Sequence, residues 1–285
     1  MGDGNFEDYG MRMYNTRLGR FFNVDPLTKS YPMLTPYQFA SNTPIQAIDL
    51  DGLEAKIAIY GAGVHWNDNG TSSEKHAALF KSEADKDVQW KNANKAYKGL
   101  VGQDLIKTLE KISSNEGSIE YMSMYTHAGP NYILLDTGQF GREALTDKTI
   151  NTPNTPYSTI ALKDIFDNSK IKFELNSLVV FAGCNAGRTV SFEDRTVPIY
   201  SIAKEVTETY GIATIGADGY TSPSKKTGNR TADYNYTLFY IDIKNQLQTV
   251  DLGKELNKAT IQKAKQIVDK VAEERLNSDK NEKPK

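Results

Sequence analysis

The sequence predicts an α/β fold with a mainly parallel sheet and helices on both faces, preceded by a short segment rich in strands and turns. From residue 54 onward, apolar strand-like stretches alternate with stretches of helical periodicity, which is the pattern of βαβ units. Two stretches, SLVVFAG (177–183) and IATIGADG (212–219), are almost continuously apolar, as expected of strands buried on both faces of a parallel sheet. We therefore divide the chain into residues 1–53, an α/β domain over 54–275 and a tail over 276–285.

The predicted strands of the α/β domain are runs of apolar, β-branched or aromatic residues that end at glycine or polar turn residues. We expect the strand in the stretch 118–129 to end at His127. We expect the stretch 237–252 to form two strands around Lys244-Asn245. In chain order they are KIAIYGAG (56–63), SIEYMSMYTHAG (118–129), NYILLDTGQF (131–140), SLVVFAG (177–183), IATIGADG (212–219) and TLFYIDIKNQLQTVDL (237–252).

The predicted helices share apolar positions three or four residues apart, together with residues suited to helix ends. In chain order they are SSEKHAALFKSEA (72–84), DLIKTLEKISS (104–114), STIALKDIFD (158–167), PIYSIAKEVTETYG (198–211) and ATIQKAKQIVDKVAEERL (259–276). The tail after them is polar and is expected to be disordered.

Charge and hydropathy argue against two classes of partner. The net charge is −2 without long blocks of like charge, so the electrostatic footprint of a nucleic-acid-binding protein is missing. No apolar run approaches the roughly 18 residues of a membrane-spanning helix. The first residues lack a basic stretch followed by an apolar one, so we expect no secretory signal peptide.

The first 53 residues differ from the rest because prolines at 26, 32, 36 and 44 interrupt any helix, while pieces such as RFFNV favour strands. Two motifs stand out here, YGMRMYNTRLGRFFNVDP and YQFASNTPIQAIDLDG. They resemble the end of the core domain of Rhs/YD-repeat proteins, whose pattern is Y-G-A-R-x-Y-x-x-x-x-G-R-F-x-x-x-D-P and then Y-x-x-x-N-N-P-x-x-x-x-D-P-D-G. The resemblance covers about residues 9–53.

This resemblance implies a polymorphic toxin. In the family the motif closes a β-cocoon shell, and a variable C-terminal toxin or effector follows it. The implied life cycle is synthesis in a bacterial cytoplasm, export by a specialised secretion system without a signal peptide, and action in a target cell during interbacterial competition. A cognate immunity protein is the implied partner.

Some members of that family cut themselves near the final motif with aspartates. The matching residues here are Asp25 and either Asp49 or Asp51, with the cut near Leu53. The motifs depart from the family, with D-L-D-G in place of D-P-D-G and D-P-L-T in place of D-P-L-G. A turn-rich junction with solvated aspartates is the alternative interpretation.

The only cysteine, Cys184, and His127 both directly follow predicted strands. Open α/β sheets bind their ligands beyond the carboxyl ends of the strands, so both side chains are expected at the functional edge. An imidazole can take the proton of a thiol, and the thiolate then attacks a carbonyl carbon. Glycines close to both residues, Gly129 and Gly183, allow the backbone to approach a substrate closely.

YMSMYTHAG and SLVVFAGCNAG resemble the two motifs of the caspase–hemoglobinase fold, clan CD of cysteine peptidases, which includes caspases, gingipains, separases and CHAT-type peptidases. The resemblance implies a three-layer sandwich that cleaves a protein or peptide substrate. His127 would be the general base and Cys184 the nucleophile, and the N–H groups of Cys184 and of Ala128 or Gly129 would bind the oxyanion. It implies no metal or other cofactor. The departure is Ala128, where the family has glycine directly after histidine.

Acidic residues are the candidates for recognising a basic side chain of the substrate next to the scissile bond. Asp218 ends the strand after Cys184, and Asp136 and Asp194 are further candidates. A solvated loop carboxylate is the alternative interpretation of each.

Three other hypotheses compete with the peptidase. GCNAGRT is similar to the loop of cysteine phosphatases, but only three residues separate Cys184 from Arg188, and that loop needs about five to ring a phosphate. His65, Asp68 and His76 fit no zinc signature in their spacing, and His76 is expected on an exposed helix face. The third hypothesis is a non-catalytic domain of the same fold that binds a partner.

Overall fold

A computed structural model of the chain describes residues 6–8, 12–15, 17–18, 20–24, 37, 54–61, 74–99, 102–129, 132–138, 141–146, 157–189, 201–224, 226–227 and 229–281. The helices are α1 (Glu74–Gln89), α2 (Gly102–Asn115), α3 (Lys163–Phe166), α4 (Ile202–Tyr210) and α5 (Lys258–Asn281). The strands are β1 (Phe6–Asp8), β2 (Met13–Asn15), β3 (Arg20–Phe21), β4 (Ala55–Tyr60), β5 (Lys95–Lys98), β6 (Ile119–Tyr125), β7 (His127–Gly129), β8 (Tyr132–Gly138), β9 (Gly141–Thr146), β10 (Tyr157–Ala161), β11 (Phe173–Phe181), β12 (Ala213–Ala217), β13 (Thr221–Pro223), β14 (Arg230–Ala232), β15 (Tyr236–Ile241), β16 (Leu247–Asp251) and β17 (Glu255–Leu256).

The central sheet has seven strands in the order β16-β15-β12-β11-β6-β4-β5. The strands from β12 to β5 run parallel, and the β15–β16 hairpin joins β12 antiparallel. The prediction of a mixed α/β fold with a mainly parallel sheet is therefore confirmed. The parallel order places the carboxyl ends of β4, β6, β11 and β12 side by side at one edge.

Helices cover both faces of this sheet, and alternate strand residues supply the two cores. Met122 and Met124 of β6 face a core shared with α2, α3 and α4, whereas Tyr121 and Tyr125 face a core shared with α1 and α5. This alternation is the two-residue period of a strand, and an apolar residue at nearly every position follows from burial on both faces.

The described residues also form three smaller sheets besides the central one. β1, β2 and β3 form an antiparallel sheet in the N-terminal segment, where the buried Arg12 guanidinium lies 3.8 Å from the centre of the Phe21 ring. β7 to β10 form a four-stranded sheet, and β13, β14 and β17 form a three-stranded one. None of the described helices is long and apolar enough to cross a membrane.

Several described elements differ from the sequence prediction: β5, β9, β13, β14 and β17 were not predicted, and α1 continues beyond residue 84 to Gln89. Three further differences concern the path of the chain. The strand expected to end at His127 ends at Tyr125, and His127 begins β7, which leaves the central sheet and pairs antiparallel with β8. The helix expected over 158–167 is a strand followed by the short α3, because the β-branched Thr159 and Ile160 pair with β9. The helix expected to end at 276 continues as α5 to Asn281, into the segment expected to be disordered.

Candidate active site

The backbones that carry Cys184 and His127 touch at the carboxyl edge of the central sheet. β6 and β11 are parallel neighbours, and His127 and Cys184 follow their last residues closely. A Cβ atom added to Gly183 would lie 2.3 Å from Ala128 Cβ and 2.9 Å from the carbonyl oxygen of Thr126. A side chain at 183 would therefore clash both with Ala128 and with the Thr126 carbonyl.

The sulfur of Cys184 accepts a hydrogen bond from the backbone N–H of Thr221, at 3.3 Å, and lies 3.5 Å from the Thr221 hydroxyl. That hydroxyl in turn accepts a hydrogen bond from Nε of Arg230 at 2.9 Å. Arg230 also donates through Nη1 to Oε2 of Glu83 at 2.6 Å. A continuous set of contacts thus runs from α1 through β14 and β13 to the sulfur.

Arg230 and Glu83 form a buried ion pair, with side chains that are 3% and 4% exposed. Burial acts to lower the pKa of Arg230, but the contacts with Glu83, Tyr236 and Cys184 together raise this pKa above its usual value, so the guanidinium stays charged. The cation is one hydrogen-bonded residue away from the Cys184 sulfur.

The side chain of His127 contacts α1. Its Nε2 lies 3.1 Å from Nδ1 of His76, and the two rings meet edge to face with centroids 4.9 Å apart. The Phe80 ring packs edge to face against His127 at 5.0 Å, and the Arg230 guanidinium lies 5.3 Å from the same ring. The prediction that His76 lies on an exposed helix face is wrong, because α1 turns this residue toward the sheet edge.

The two predicted catalytic side chains do not share a hydrogen bond. In the described part of the chain, the contacts of the Cys184 sulfur run to Thr221, and those of His127 Nε2 run to His76. Both side chains are half-buried at the same edge.

In the turn that contains Cys184, some backbone N–H groups are hydrogen-bonded and others, including that of Cys184, have no acceptor among the described residues. The N–H groups of Asn185, Gly187 and Arg188 donate to backbone carbonyls, whereas that of Cys184 has no acceptor among the described residues. Asn185 adopts a left-handed conformation with φ 55°, and the turn brings Gly187 against Gly216 of β12. The Cys184 N–H is therefore available for an oxyanion.

Ala128 and Gly129, the other expected oxyanion donors, lie in β7. This strand is at the edge of its sheet and pairs antiparallel with β8 alone. Alternate residues of an antiparallel strand direct their N–H groups toward the partner. One of the two N–H groups therefore faces β8, and the other points away from it.

Asp218, the first candidate for recognising a basic side chain, lies in the loop after β12, on the same edge as Cys184. Its Oδ1 is 3.7 Å from Nε of Arg188, whose guanidinium lies 6.0 Å from the Tyr234 ring. A basic substrate group would have to compete with Arg188 for this carboxylate. Arg188 is thus engaged with Asp218, and the cation linked to Cys184 is Arg230.

Of the other candidates, the structure describes the backbone position of Asp136. Asp136 lies in β8, where it pairs with Glu143. Within the ranges given above, no cluster of three or more His, Cys, Asp or Glu residues is suited to hold a metal ion. The remaining acidic and histidine candidates lie outside the described residues, and these are Asp25, Asp49, Asp51, His65, Asp68 and Asp194.

Sequence reasoning missed the residues that surround the pair. The residues contributed by α1 could have been found from the sequence, because His76, Glu83 and Asp87 share one helical face with the buried Phe80. Polar residues on the core-facing side of an amphipathic helix need buried partners, and such partners cluster at functional sites. No local pattern marks Thr221 or Arg230.

No protein-family model and no curated protein matches the chain.

Proposed function

We propose that the α/β domain is a cysteine-dependent hydrolase of peptide bonds, with Cys184 as nucleophile and His127 as general base. The observation that carries this proposal is the contact between the two strand ends, which sets a thiol and an imidazole at one edge of a parallel sheet. The Thr221 N–H and the nearby Arg230 cation support it further, because both stabilise a thiolate.

The reaction follows from these groups. The Cys184 thiol rotates toward His127 and gives it a proton, and the thiolate attacks the carbonyl carbon of the scissile peptide bond. The Cys184 N–H and one N–H of β7 stabilise the resulting oxyanion. His127 then returns the proton to the leaving amine, which leaves a thioester on Cys184. A water molecule deprotonated by His127 hydrolyses this thioester and regenerates the thiol.

The wider biological role is proposed from the sequence resemblances. The domain is proposed to have the caspase–hemoglobinase fold and to be the C-terminal effector of an Rhs-type polymorphic toxin. Residues 9–53 are then the end of the Rhs core. Export by a specialised secretion system and neutralisation by an immunity protein belong to the same proposal.

The decisive test is the reactivity of the folded protein toward iodoacetamide, measured by intact mass between pH 6 and pH 7. Cys184 is expected to react faster than a free thiol, whose pKa of about 8.5 leaves little thiolate at this pH. His127→Ala is expected to slow the reaction. Native protein that is not labelled, or labelled no faster than after His127→Ala, contradicts the assigned roles.

Expression in a bacterial cytoplasm tests the toxin proposal separately. Wild type is expected to arrest growth, and Cys184→Ala, which removes only the sulfur atom, is expected to permit it. Toxicity that survives the substitution contradicts the peptidase mechanism and favours action by binding. Immunoblots of both variants control for expression level.

A further inference from the structure

The inner face of α1 brings a second imidazole to the site. His76, Phe80 and Glu83 are spaced four and three residues apart, so all three project from one side of the helix toward the carboxyl edge of the sheet. Glu83 holds Arg230, and Phe80 packs between Arg230 and His127. His76 occupies the end of this face and meets His127 directly.

The contact between the imidazoles restricts where their protons lie. His127 Nε2 and His76 Nδ1 are 3.1 Å apart, so one of these nitrogens carries a hydrogen and the other accepts it. If His127 donates from Nε2, its Nδ1 is the basic atom of the neutral ring. The tautomer of a histidine is set in this way by the hydrogen bond of its other nitrogen.

We propose that His76 is a positioning residue that accepts the Nε2–H of His127 and so keeps Nδ1 as the base for the Cys184 thiol. This proposal rests on the proposed cysteine hydrolase. During the reaction the thiol proton moves to Nδ1 of His127, and the imidazolium that forms keeps its Nε2–H donated to neutral His76. The same proton then leaves Nδ1 for the departing amine, so His76 itself gains and loses no proton.

Other charged and titratable groups lie near His127 on the elements packed around it. Glu83 and Arg230 lie behind Phe80 and form their own ion pair, and Cys184 follows the neighbouring strand β11. Glu83 and Arg230 carry opposite charges, so the pair has no net charge. A substitution at His76 is expected to leave this pair unchanged, and its effect on His127 then comes from the loss of the imidazole contact. A pH profile of wild type beside His76 variants therefore isolates the contribution of the imidazole contact.

The matched variants are His76→Asn and His76→Ala in the full chain. The asparagine Oδ1 can accept a hydrogen bond where Nδ1 of His76 accepted it, whereas alanine offers no acceptor. We expect His76→Ala to slow iodoacetamide alkylation of Cys184 at pH 6 on the order of 10-fold, as part of the effect of a general base, and to shift the pH profile. His76→Asn is expected to stay within about 3-fold of wild type. Urea unfolding of both variants controls for loss of structure.

Nitrogen-15 NMR of the wild type provides a readout that needs no variant. Neutral His127 is expected as the Nε2–H tautomer. Finding the Nδ1–H tautomer overturns the proposal, as does a pH profile of alkylation that His76→Ala leaves unchanged. Equal slowing by asparagine and alanine also overturns it. Failure of the cysteine hydrolase itself shows differently, as hydrolysis or toxicity that persists in Cys184→Ala.

Discussion

Replacing Arg230 with methionine leaves a buried carboxylate without its partner. Arg230 Nη1 and Glu83 Oε2 are 2.6 Å apart, and Glu83 Oε1 has no hydrogen-bond partner among the described residues. At an effective dielectric constant of about 20, unit charges about 4 Å apart attract each other by about 4 kcal/mol. We therefore expect Arg230→Met to lower the free energy of unfolding by about 3–5 kcal/mol, the usual cost of breaking a buried pair from one side.

The double variant Glu83→Met/Arg230→Met removes both charges and keeps most of the side-chain volume. Replacing a buried ion pair with apolar residues is often neutral or stabilising, so we expect the double variant to unfold within about 1 kcal/mol of wild type. Urea unfolding of the full chain at pH 7, followed by far-UV circular dichroism, measures the four corners of this cycle. A loss below about 1 kcal/mol in Arg230→Met refutes the reasoning, as does a double variant as unstable as the sum of the singles.

The same variants separate the structural role of Arg230 from its effect on the thiol. In the stable double variant the cation near Thr221 is absent, so alkylation of Cys184 between pH 6 and pH 7 is expected to be slower than in wild type. Lys56→Met is a matched control, because it breaks a 2.7 Å ion pair with the buried Glu120 on another part of the sheet. Equal alkylation rates in the double variant and wild type would contradict the electrostatic role.

Three further predictions concern stability and are measured by urea unfolding. Gly183→Ala is expected to cost about 1–3 kcal/mol through overpacking, and Ala128→Gly is expected to recover only part of it, because the added Cβ still lies 2.9 Å from the Thr126 carbonyl oxygen. Full recovery of stability in the double variant would contradict this prediction, because it would show that the added Cβ clashes with Ala128 alone. Ser201→Ala removes the side chain that caps α4 and is expected to cost about 1 kcal/mol; no loss would show that the cap contributes nothing. Burial raises the pKa of Glu54 to about 7 from 4.5, so the stability that its neutral form contributes is full below pH 4.5 and is lost as the pH rises to 7. Glu54→Gln is expected to remove up to about 3 kcal/mol of this pH dependence, and parallel pH profiles would contradict it.

The strands and helices were largely predictable because their signals are local. Continuous apolar runs marked β11 and β12, and glycine marked the end of α4, whose Gly211 has the left-handed conformation of a helix end. The start of this helix was expected at Pro198, but α4 begins at Ile202, after Ser201 as its cap. Local propensity also explains the error over residues 158–167. There the apolar spacing suited a helix, but the β-branched residues pair with β9 once that strand is present.

The rule that parallel strands end at one edge also predicted which residues meet there. His127 and Cys184 follow β6 and β11, and these strands are neighbours. The rule concerns backbones, and it does not determine how side chains orient at the edge. In the structure the sulfur contacts Thr221 and the imidazole contacts His76, and both partners come from elements outside β6 and β11.

The sequence by itself determined most of the alternation of strands and helices, the parallel sheet and the position of Cys184 and His127 a few residues beyond two of its strands, because these depend on periodicity and short-range turns. Only the tertiary structure decided their partners. Arg230 and Glu83 are 147 residues apart in the chain, and His76 and His127 are 51 apart. Such contacts depend on the packing of α1 and β14 against the sheet edge, which no local pattern encodes, because the pairing energy appears only after the separate elements are buried together.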